Sequence, residues 1–443
     1  LRLTAQRFSI CGLIRRRWVG NYSKFPMKPI DFNPKPPTVM HIDLNSCFAS
    51  VEQQANPLLR GKPIVVAAYT SLNGCILASS REAKKLGIKT GMTVREGKNI
   101  YPHLIVLPPD PEKYRWVNRR LRTVLSSYSV HLSVESIDEM VMDLANTPAL
   151  IRGTMVDIAK EIKERMKKEI GDWLTVSIGI APNRYLAKVA SGLHKPDGLD
   201  VITKETIEEV LETIELEDLC GIKEGIGRRL RLAGITTPVL LAQASAVALI
   251  RALHSKTGHS WWLRFHGWED PSASSGQDPQ KTFGQSFALG RLRVPQDPEL
   301  WKILSQLIIK MGRRLRSDGF VARGIYVSCL FRDYAHWGKG YLSTIPMFAD
   351  SDFFHWAHTL LVQAPQKPVR ILAVTSYDLL PQGSGQMTLW NTDEKKRKIT
   401  NALDKIADRF GEFTVTPGRM LAMEQKVLDR IAFGRVRDLS GVQ

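Results

Sequence analysis

Two acidic motifs constrain this chain more than any other feature. The first is Val39-Met40-His41-Ile42-Asp43-Leu44-Asn45, continued by Cys47-Phe48-Ala49-Ser50-Val51-Glu52. The second is Ser136-Ile137-Asp138-Glu139-Met140-Val141-Met142-Asp143. Each sets a carboxylate at the edge of an apolar, strand-like run, where an unpaired charge is costly. Divalent cations shared between carboxylates remove that cost, and paired metals held this way carry out phosphoryl and nucleotidyl transfer. Successive strand residues face opposite ways, so adjacent Asp138 and Glu139 serve one metal only near a strand end or bend.

The flanking pattern predicts the sheet that holds these motifs. Residues 38–45 read as a strand. A helix follows over 114–128, with Trp116, Val117, Leu121, Val124 and Leu125 on one side. Strands at 131–135 and 139–144, a charged helix at 158–170 and a strand at 174–181 come next. Asn183 caps a further helix through Leu193. This is the βαββαβ plan. Its first and third strands are central neighbours, which predicts Asp43 beside Asp138 and Glu139. Residues 50–107 are an insertion, with short strands at 64–69 and 75–79 and a helix at 81–86 ended by Gly87.

Beyond the sheet, 204–265 read as helical. Residues 239–250 are expected to form one buried helix, shorter than the roughly 20 residues a membrane span needs. Residues 219–230 predict a helix, a tight turn at Gly225-Ile226-Gly227 and a second helix. A linker rich in Ser and Pro follows at 270–279. The pieces 282–289, 298–316, 322–331, 341–345, 351–362 and 369–379 then repeat the βαββαβ plan. The fold class is therefore α+β, multidomain, with two copies of one plan flanking a helical module.

At 443 residues the chain exceeds one ordinary core. Lys and Arg total 62 against 44 Asp and Glu, a net charge of +18. That excess points to a polyanion, and in a chain with patterned domains to nucleic acid; a merely basic soluble protein is the plainer alternative. The five cysteines form no CxxC pair, so neither a zinc site nor a disulfide framework is indicated, and a reducing intracellular compartment fits. Residues 1–27 carry Arg2, Arg7, Arg15, Arg16, Arg17 and Lys24 without an acid. Either they mimic a transit peptide or the gene start is over-extended and Met27 is the initiator; the second is expected.

Further residues extend the candidate site. Phe48 would place a ring beside the metals and exclude a 2′-hydroxyl; ordinary core packing is the alternative. Lys195, in His194-Lys195-Pro196-Asp197-Gly198, and Arg81 and Lys84 on the inserted helix would meet a triphosphate, though each singly reads as a surface charge. Gly225 and Gly227 open a helix whose backbone N–H groups would bind phosphate, with Arg228 and Arg229 following; a helix-packing turn is the alternative. Gln386-Met387-Thr388-Leu389-Trp390 suits docking into a partner's groove.

These residues resemble the Y-family DNA polymerases, in the bacterial DNA polymerase IV-like branch, over residues 37–420. The family motifs are D-x-D-x-F-F/Y-A and S-x-D-E. The resemblance implies that Asp43, Asp138 and Glu139 are the metal-binding catalytic carboxylates and that the Leu44 carbonyl helps hold one of two Mg²⁺ ions. It makes Phe48 the steric gate against ribonucleotides. The segment from Ala181 to Lys188 through Lys195 to Gly198 matches one that ends in a triphosphate-binding lysine, Lys195.

The resemblance implies this order: a basic leader at 1–36; a palm at 37–46 and 109–203; fingers at 47–108; a helix-hairpin-helix thumb at 204–269; a linker at 270–280; a little finger at 281–425; and a tail at 426–443. It implies binding of primer-template DNA through Gly225, Gly227 and Arg228, and of dNTPs through Phe48, Arg81, Lys84 and Lys195. A β-type sliding clamp would take Gln386, Met387, Leu389 and Trp390.

The expectation is therefore low-fidelity, template-directed DNA synthesis in translesion repair, by a cytoplasmic, nucleoid-associated bacterial monomer that needs no membrane. Rival readings are an inactive polymerase-like accessory protein, a purely DNA-binding module, and a nuclease or cyclase on the same sheet plan. The chain departs from the family in four places. Asn45 stands where Asp is usual, Cys47 replaces an aromatic, Arg81 and Lys84 replace Tyr-x-x-Arg, and the clamp motif lies inside a longer C-terminal region.

Overall fold

The computed structural model of the protein describes residues 31–270, 281–383 and 392–422. The described residues divide into two compact units, 31–270 and 281–422 without the gap at 384–391.

The first unit opens with β1 (Val39–Leu44) and, after Asn45 and Ser46, helix α1 (Cys47–Ala55). The insertion holds β2 (Ile64–Ala67), β3 (Ile76–Ser79), α2 (Arg81–Lys85), α3 (Val94–Ile100) and β4 (Ile105–Leu107), with its strands in the order β3-β2-β4. Then follow α4 (Pro111–Ser126), β5 (Leu132–Val134), β6 (Glu139–Asp143), α5 (Pro148–Arg152), α6 (Met155–Glu169), β7 (Val176–Ala181), α7 (Arg184–Leu193) and β8 (Leu199–Val201). The large sheet runs β5-β6-β1-β7-β8, with β1 antiparallel to both β6 and β7. The first and third strands of the βαββαβ plan are thus neighbours, as expected.

Both faces of β1 are covered, which explains its near-continuous apolar run. Met40, Ile42 and Leu44 share a cluster with Tyr114, Leu121 and Leu125 of α4 and with Ile158, Ile162 and Met166 of α6. Val39 packs with Val141, Ala181 and the α7 residues Leu186, Ala187 and Ala190. Helix α7 lies directly on β7: a Cβ at Gly179 would collide with the backbone of Ala187 and Ser191. The helix ends are set locally. Asp110 caps α4 ahead of Pro111, Thr154 and Asp157 form a capping box on α6, and Asn183 caps α7. Helix α1 was not anticipated: Phe48, Ala49 and Val51 of the stretch assigned to the fingers join the core of the large sheet.

Helices α8 (Ile207–Glu212), α9 (Glu224–Leu232), α10 (Pro238–Gln243), α11 (Ala246–Leu253) and α12 (Thr257–Phe265) complete this unit around Leu219, Ile222, Leu230, Leu249, Trp261 and Phe265. Two expectations are corrected here. Residues 239–250 are not one helix: the chain breaks at Ala244, and Ser245 caps α11 by accepting from the Ala248 N–H. Gly225-Ile226-Gly227 is not the tight turn. Both glycines lie in the first turn of α9, and the left-handed residue is Gly221, with φ +92°. Residues 219–222 form that turn, so the preceding helix is α8.

The second unit holds β9 (Thr282–Arg293), a helix at Pro298–Ser317, β10 (Phe320–Phe331), β11 (His336–Met347), a helix at Asp350–Leu361, β12 (Val369–Pro381) and a helix at Thr392–Phe410. The element order repeats the first unit; the sheet order does not. It is β11-β10-β12-β9, antiparallel throughout, so the first strand sits at an edge instead of the centre. In each sheet a local antiparallel pair forms (β5 with β6, β10 with β11), but the partners on its far side are chosen by packing that an element string does not encode. Among the described residues no helix is long and apolar enough to cross a membrane.

Candidate active site

The site forms where β1 ends. Asp43 is the register partner of Glu139 on β6, which puts the two carboxylates on one sheet face within cross-strand reach. Asp138 precedes β6 in a bend: the Ser136 hydroxyl binds its Oδ1, and its carbonyl accepts the Leu44 N–H at 2.9 Å. The bend predicted for Asp138 is present, and it lets Asp138 join Asp43 along one cleft.

That cleft encloses about 800 Å³, lined by Asp43, Leu44, Asn45, Phe48 and Asp138 on one side and by Arg81, Lys84, Lys195 and Trp173 among others. Lys195 Nζ donates to Asp43 Oδ2 at 2.6 Å. The Arg81 guanidinium donates to the Thr175 hydroxyl. Desolvation in the cleft, then Lys195 and Arg81, push the Lys84 ammonium below its usual value, with Asp43 opposing. Cations face carboxylates across a space open to a polyanion.

The acids differ electrostatically. Burial raises the Asp138 carboxyl, and Asp43 and Glu139 add to that against the Ser136 hydroxyl. Burial would raise Glu139 too, but contacts with His41 and Lys188 outweigh it and hold it at about 2. Lys188 of α7 donates to Glu139 Oε2, and His41 Nε2 lies 3.8 Å from the same oxygen. His41 is buried, and its Nδ1 is 3.0 Å from Ser191 Oγ. Burial, then Asp138 and Asp43, raises the Cys47 thiol, which stays a neutral wall of the site.

Asp43 and Glu139 are each turned to a lysine, and among the described residues no three His, Cys, Asp or Glu side chains gather as a cation cage. The donor chemistry nonetheless fits a hard divalent ion. The donors are carboxylate oxygens, one of them destabilised by its anionic neighbours, with ammonium groups already supplying positive charge to the other two.

The remaining residues fall as follows. Phe48 is buried, 3% exposed, and its ring stacks on Tyr114. Gly225 and Arg228 are exposed at the start of α9, while Gly227 is buried against Glu217. Gln386, Met387, Leu389 and Trp390 lie outside the described residues. The sequence reading assigned no role to His41 or Lys188. Period-two spacing would have placed His41 on the face of Asp43, whereas Lys188 depends on how α7 crosses the sheet. Thr175 and Ser177 were missed because hydroxyls in an apolar strand carry no signal by themselves.

A family model described as the impB/mucB/samB family matches residues 42–192, and one described as the C-terminal domain of that family matches 280–389. The chain is 31% identical over 408 residues to DNA polymerase IV 1 of Bacillus subtilis (strain 168), covering 90% of this chain and 96% of that protein. It is 30% identical over 381 residues to DNA polymerase IV of Pelotomaculum thermopropionicum, covering 85% and 94%. Among solved structures, a Y-family DNA polymerase chimera of Dbh and Dpo4 matches with a TM-score of 0.67 at 24% identity, over 78% of this chain and 99% of that one. At that identity the likeness is one of fold.

Proposed function

The chain belongs to the Y-family of DNA polymerases, in the bacterial DNA polymerase IV-like branch, and from that premise we propose how its cleft works. It is a DNA-directed DNA polymerase that adds dNTPs to a primer 3′-hydroxyl with low fidelity, in translesion synthesis. One observation carries the reading: Asp43 and Asp138 share a single cleft with Arg81, Lys84 and Lys195. An inactive accessory protein has no use for that opposition of charge.

Asp43, Asp138 and Glu139, with the Leu44 carbonyl, would hold two Mg²⁺ ions, whose chemistry is to acidify the primer hydroxyl and neutralise the departing pyrophosphate. The protein's own groups do the rest. Lys195, Lys84 and Arg81 bind and orient the triphosphate. The Ser136 hydroxyl and the Asp138–Leu44 backbone bond keep Asp138 in its bend. Lys188 and His41 keep Glu139 ionised. Phe48, held from behind by Tyr114, blocks a 2′-hydroxyl. The exposed backbone at Gly225 and the Arg228 side chain approach duplex phosphates.

In domain terms, 37–46 and 109–203 act as the palm, 47–108 as fingers, 204–269 as the thumb and 281–425 as the little finger. Gln386, Met387, Leu389 and Trp390 supply a peptide for a β-type sliding clamp, and the protein works as a monomer on the nucleoid in the bacterial cytoplasm.

Primer extension on a primed template with Mg²⁺ tests this, comparing the wild type with Asp138→Ala and dNTPs with rNTPs. Extension with dNTPs that disappears in Asp138→Ala is the expected result. A wild type that binds duplex but never extends it would overturn the reading.

A further inference from the structure

Asn45 follows β1 directly, is 4% exposed, and joins two hydrogen-bonded arms that reach two of the cleft's cations. Its Oδ1 accepts the backbone N–H of Asp197 at 2.8 Å and the Thr175 hydroxyl at 3.0 Å. Its Nδ2 donates to Ser177 Oγ at 2.9 Å, and that oxygen also accepts the Gly198 N–H at 3.2 Å. The first arm enters the loop two residues beyond Lys195, whose ammonium lies on Asp43. The second passes through Thr175, whose hydroxyl oxygen takes the Arg81 guanidinium from the insertion. One carboxamide therefore ties strand β1, the two β7-side hydroxyls, the lysine loop and the arginine together.

We propose that Asn45 is a positioning residue for nucleoside triphosphate: it holds Lys195 and Arg81 in mutual register so that both cations meet the same polyphosphate. This rests on the polymerase reading of the cleft. A carboxamide oxygen has two lone pairs and the nitrogen two hydrogens. Here both acceptor sites are taken by the two arms, and a donor secures Ser177. An apolar side chain of similar size would leave the Asp197 N–H and the Thr175 hydroxyl without their acceptor. The loop would still be anchored on its other side, where Lys163 donates to the Asp197 carbonyl and pairs with its carboxylate at 3.1 Å. So the expected defect is loss of register, with the fold intact. A carboxylate at position 45 keeps both acceptor bonds, and the Ser177 hydroxyl can reverse and donate to it. Asn45→Asp is therefore the conservative variant.

The test measures dNTP affinity by equilibrium titration on a dideoxy-terminated primer-template, with steady-state kcat and KM alongside. Wild type, Asn45→Leu, Asn45→Asp, Lys195→Ala and the Asn45→Leu/Lys195→Ala double variant are compared, each checked for folding by circular dichroism. Asn45→Leu is expected to raise dNTP Kd and KM roughly tenfold with kcat changed by less than about threefold. Asn45→Asp should restore both constants. Asn45→Leu should add little in the Lys195→Ala background, because residues acting through one another are not additive. A folded Asn45→Leu protein with wild-type Kd, or full additivity with Lys195→Ala, overturns the proposal.

If Asn45→Leu does not fold, Ser177→Ala replaces it. That variant removes the support of the amide and should raise the same Kd a fewfold, and an unchanged Kd overturns the proposal. The two readings fail separately. A wild type that extends no primer, yet binds dNTP in an Asn45-dependent way, removes the polymerase and keeps the positioning role. Normal extension with Asn45-independent affinity does the reverse.

Discussion

Phe48 and Tyr114 stack with ring centroids 4.3 Å apart and planes 17° from parallel. Tyr114 is fixed in turn: its hydroxyl donates to Glu52 Oε1 at 2.9 Å, and Lys113 donates to the other Glu52 oxygen at 2.8 Å. Burial pushes the Tyr114 phenol up, so it remains a donor at neutral pH. Phe48 is thus backed by a hydrogen-bonded ring, which under the proposed gate role would hold it against a sugar. Phe48→Leu should reduce discrimination against rNTPs by roughly tenfold or more, read from dCTP and CTP competing in primer extension. Discrimination equal to wild type would return Phe48 to a packing role. Phe48→Ala is the poorer variant, since emptying a buried phenylalanine costs about 3–5 kcal/mol.

Gly225 and Gly227 should part company under the same substitution. A Cβ at Gly225 meets nothing, and in an exposed first helical turn Gly→Ala stabilises by roughly 0.4–1 kcal/mol. If duplex phosphates approach that backbone, Gly225→Ala should nevertheless weaken primer-template binding several-fold, more visibly at low salt. A Cβ at Gly227 strikes the Glu217 carboxylate, which pairs with Arg231. Gly227→Ala should displace that carboxylate at little cost, because it is the end of a flexible and partly exposed side chain, while leaving the phosphate-facing surface and duplex affinity as they were. Equal duplex affinity for Gly225→Ala and wild type would argue that α9 does not meet the DNA backbone.

Much of this organisation was legible because it rests on short-range rules. Alternation and helical periodicity located the strands around Asp43 and Asp138, and the Ser136 bend followed from the impossibility of two adjacent strand residues sharing one ligand. Long-range choices were not legible. Nothing near Val369 says that β12 would separate β9 from β10. Nothing around Asn45 says that its partners would be Asp197 and Thr175, since a buried amide acquires them only when three distant segments meet. The glycine turn was misplaced by four residues or more because Gly225 and Gly227 have the spacing of a turn but helical backbone, while Gly221 carries the positive φ. Glycine-rich spacing alone does not separate a left-handed turn from a close helix contact.

In the second unit, the helix Thr392–Phe410 is fastened mainly by charge. Arg316, with its side chain 4% exposed, donates through Nε and Nη2 to the two carboxylate oxygens of Asp404, at 2.6 and 2.9 Å, and through Nη1 to Asp350 at 2.9 Å. Arg313 reaches Asp408 at 2.6 Å. Removing one partner from a buried pair leaves an uncompensated charge, so Arg316→Ala should destabilise this unit by roughly 3–5 kcal/mol. Arg313→Ala, whose partners Asp408 and Glu412 are both more exposed than the Arg316 pair, should cost less, about 1 kcal/mol. Urea unfolding of the full chain checks the contrast; equal losses for the two variants would mean the helix is held by packing and not by the Arg316 network.

Glu139 gives a pH dependence whose sign can be worked out. Its folded carboxyl is held at about 2 against a usual 4.5, because His41 and Lys188 outweigh its burial. A depressed carboxylate contributes stability that is fully present above the unfolded value near 4.5 and is lost as pH falls toward 2. The side chain is 21% exposed, so solvent screens the contribution only partly, and it amounts to roughly 3 kcal/mol. In metal-free protein, the gap in urea midpoint between wild type and Glu139→Gln should therefore be flat from pH 7 to about 5 and should narrow steadily from about 4.5 down to 3. Lys188→Met should reduce that narrowing without abolishing it, since it removes one of the two neighbours that hold Glu139 ionised and leaves His41 in place. A gap that stays constant to pH 3 would show that Glu139 is not held ionised by these neighbours, and the carboxylate would then depend on bound cation alone.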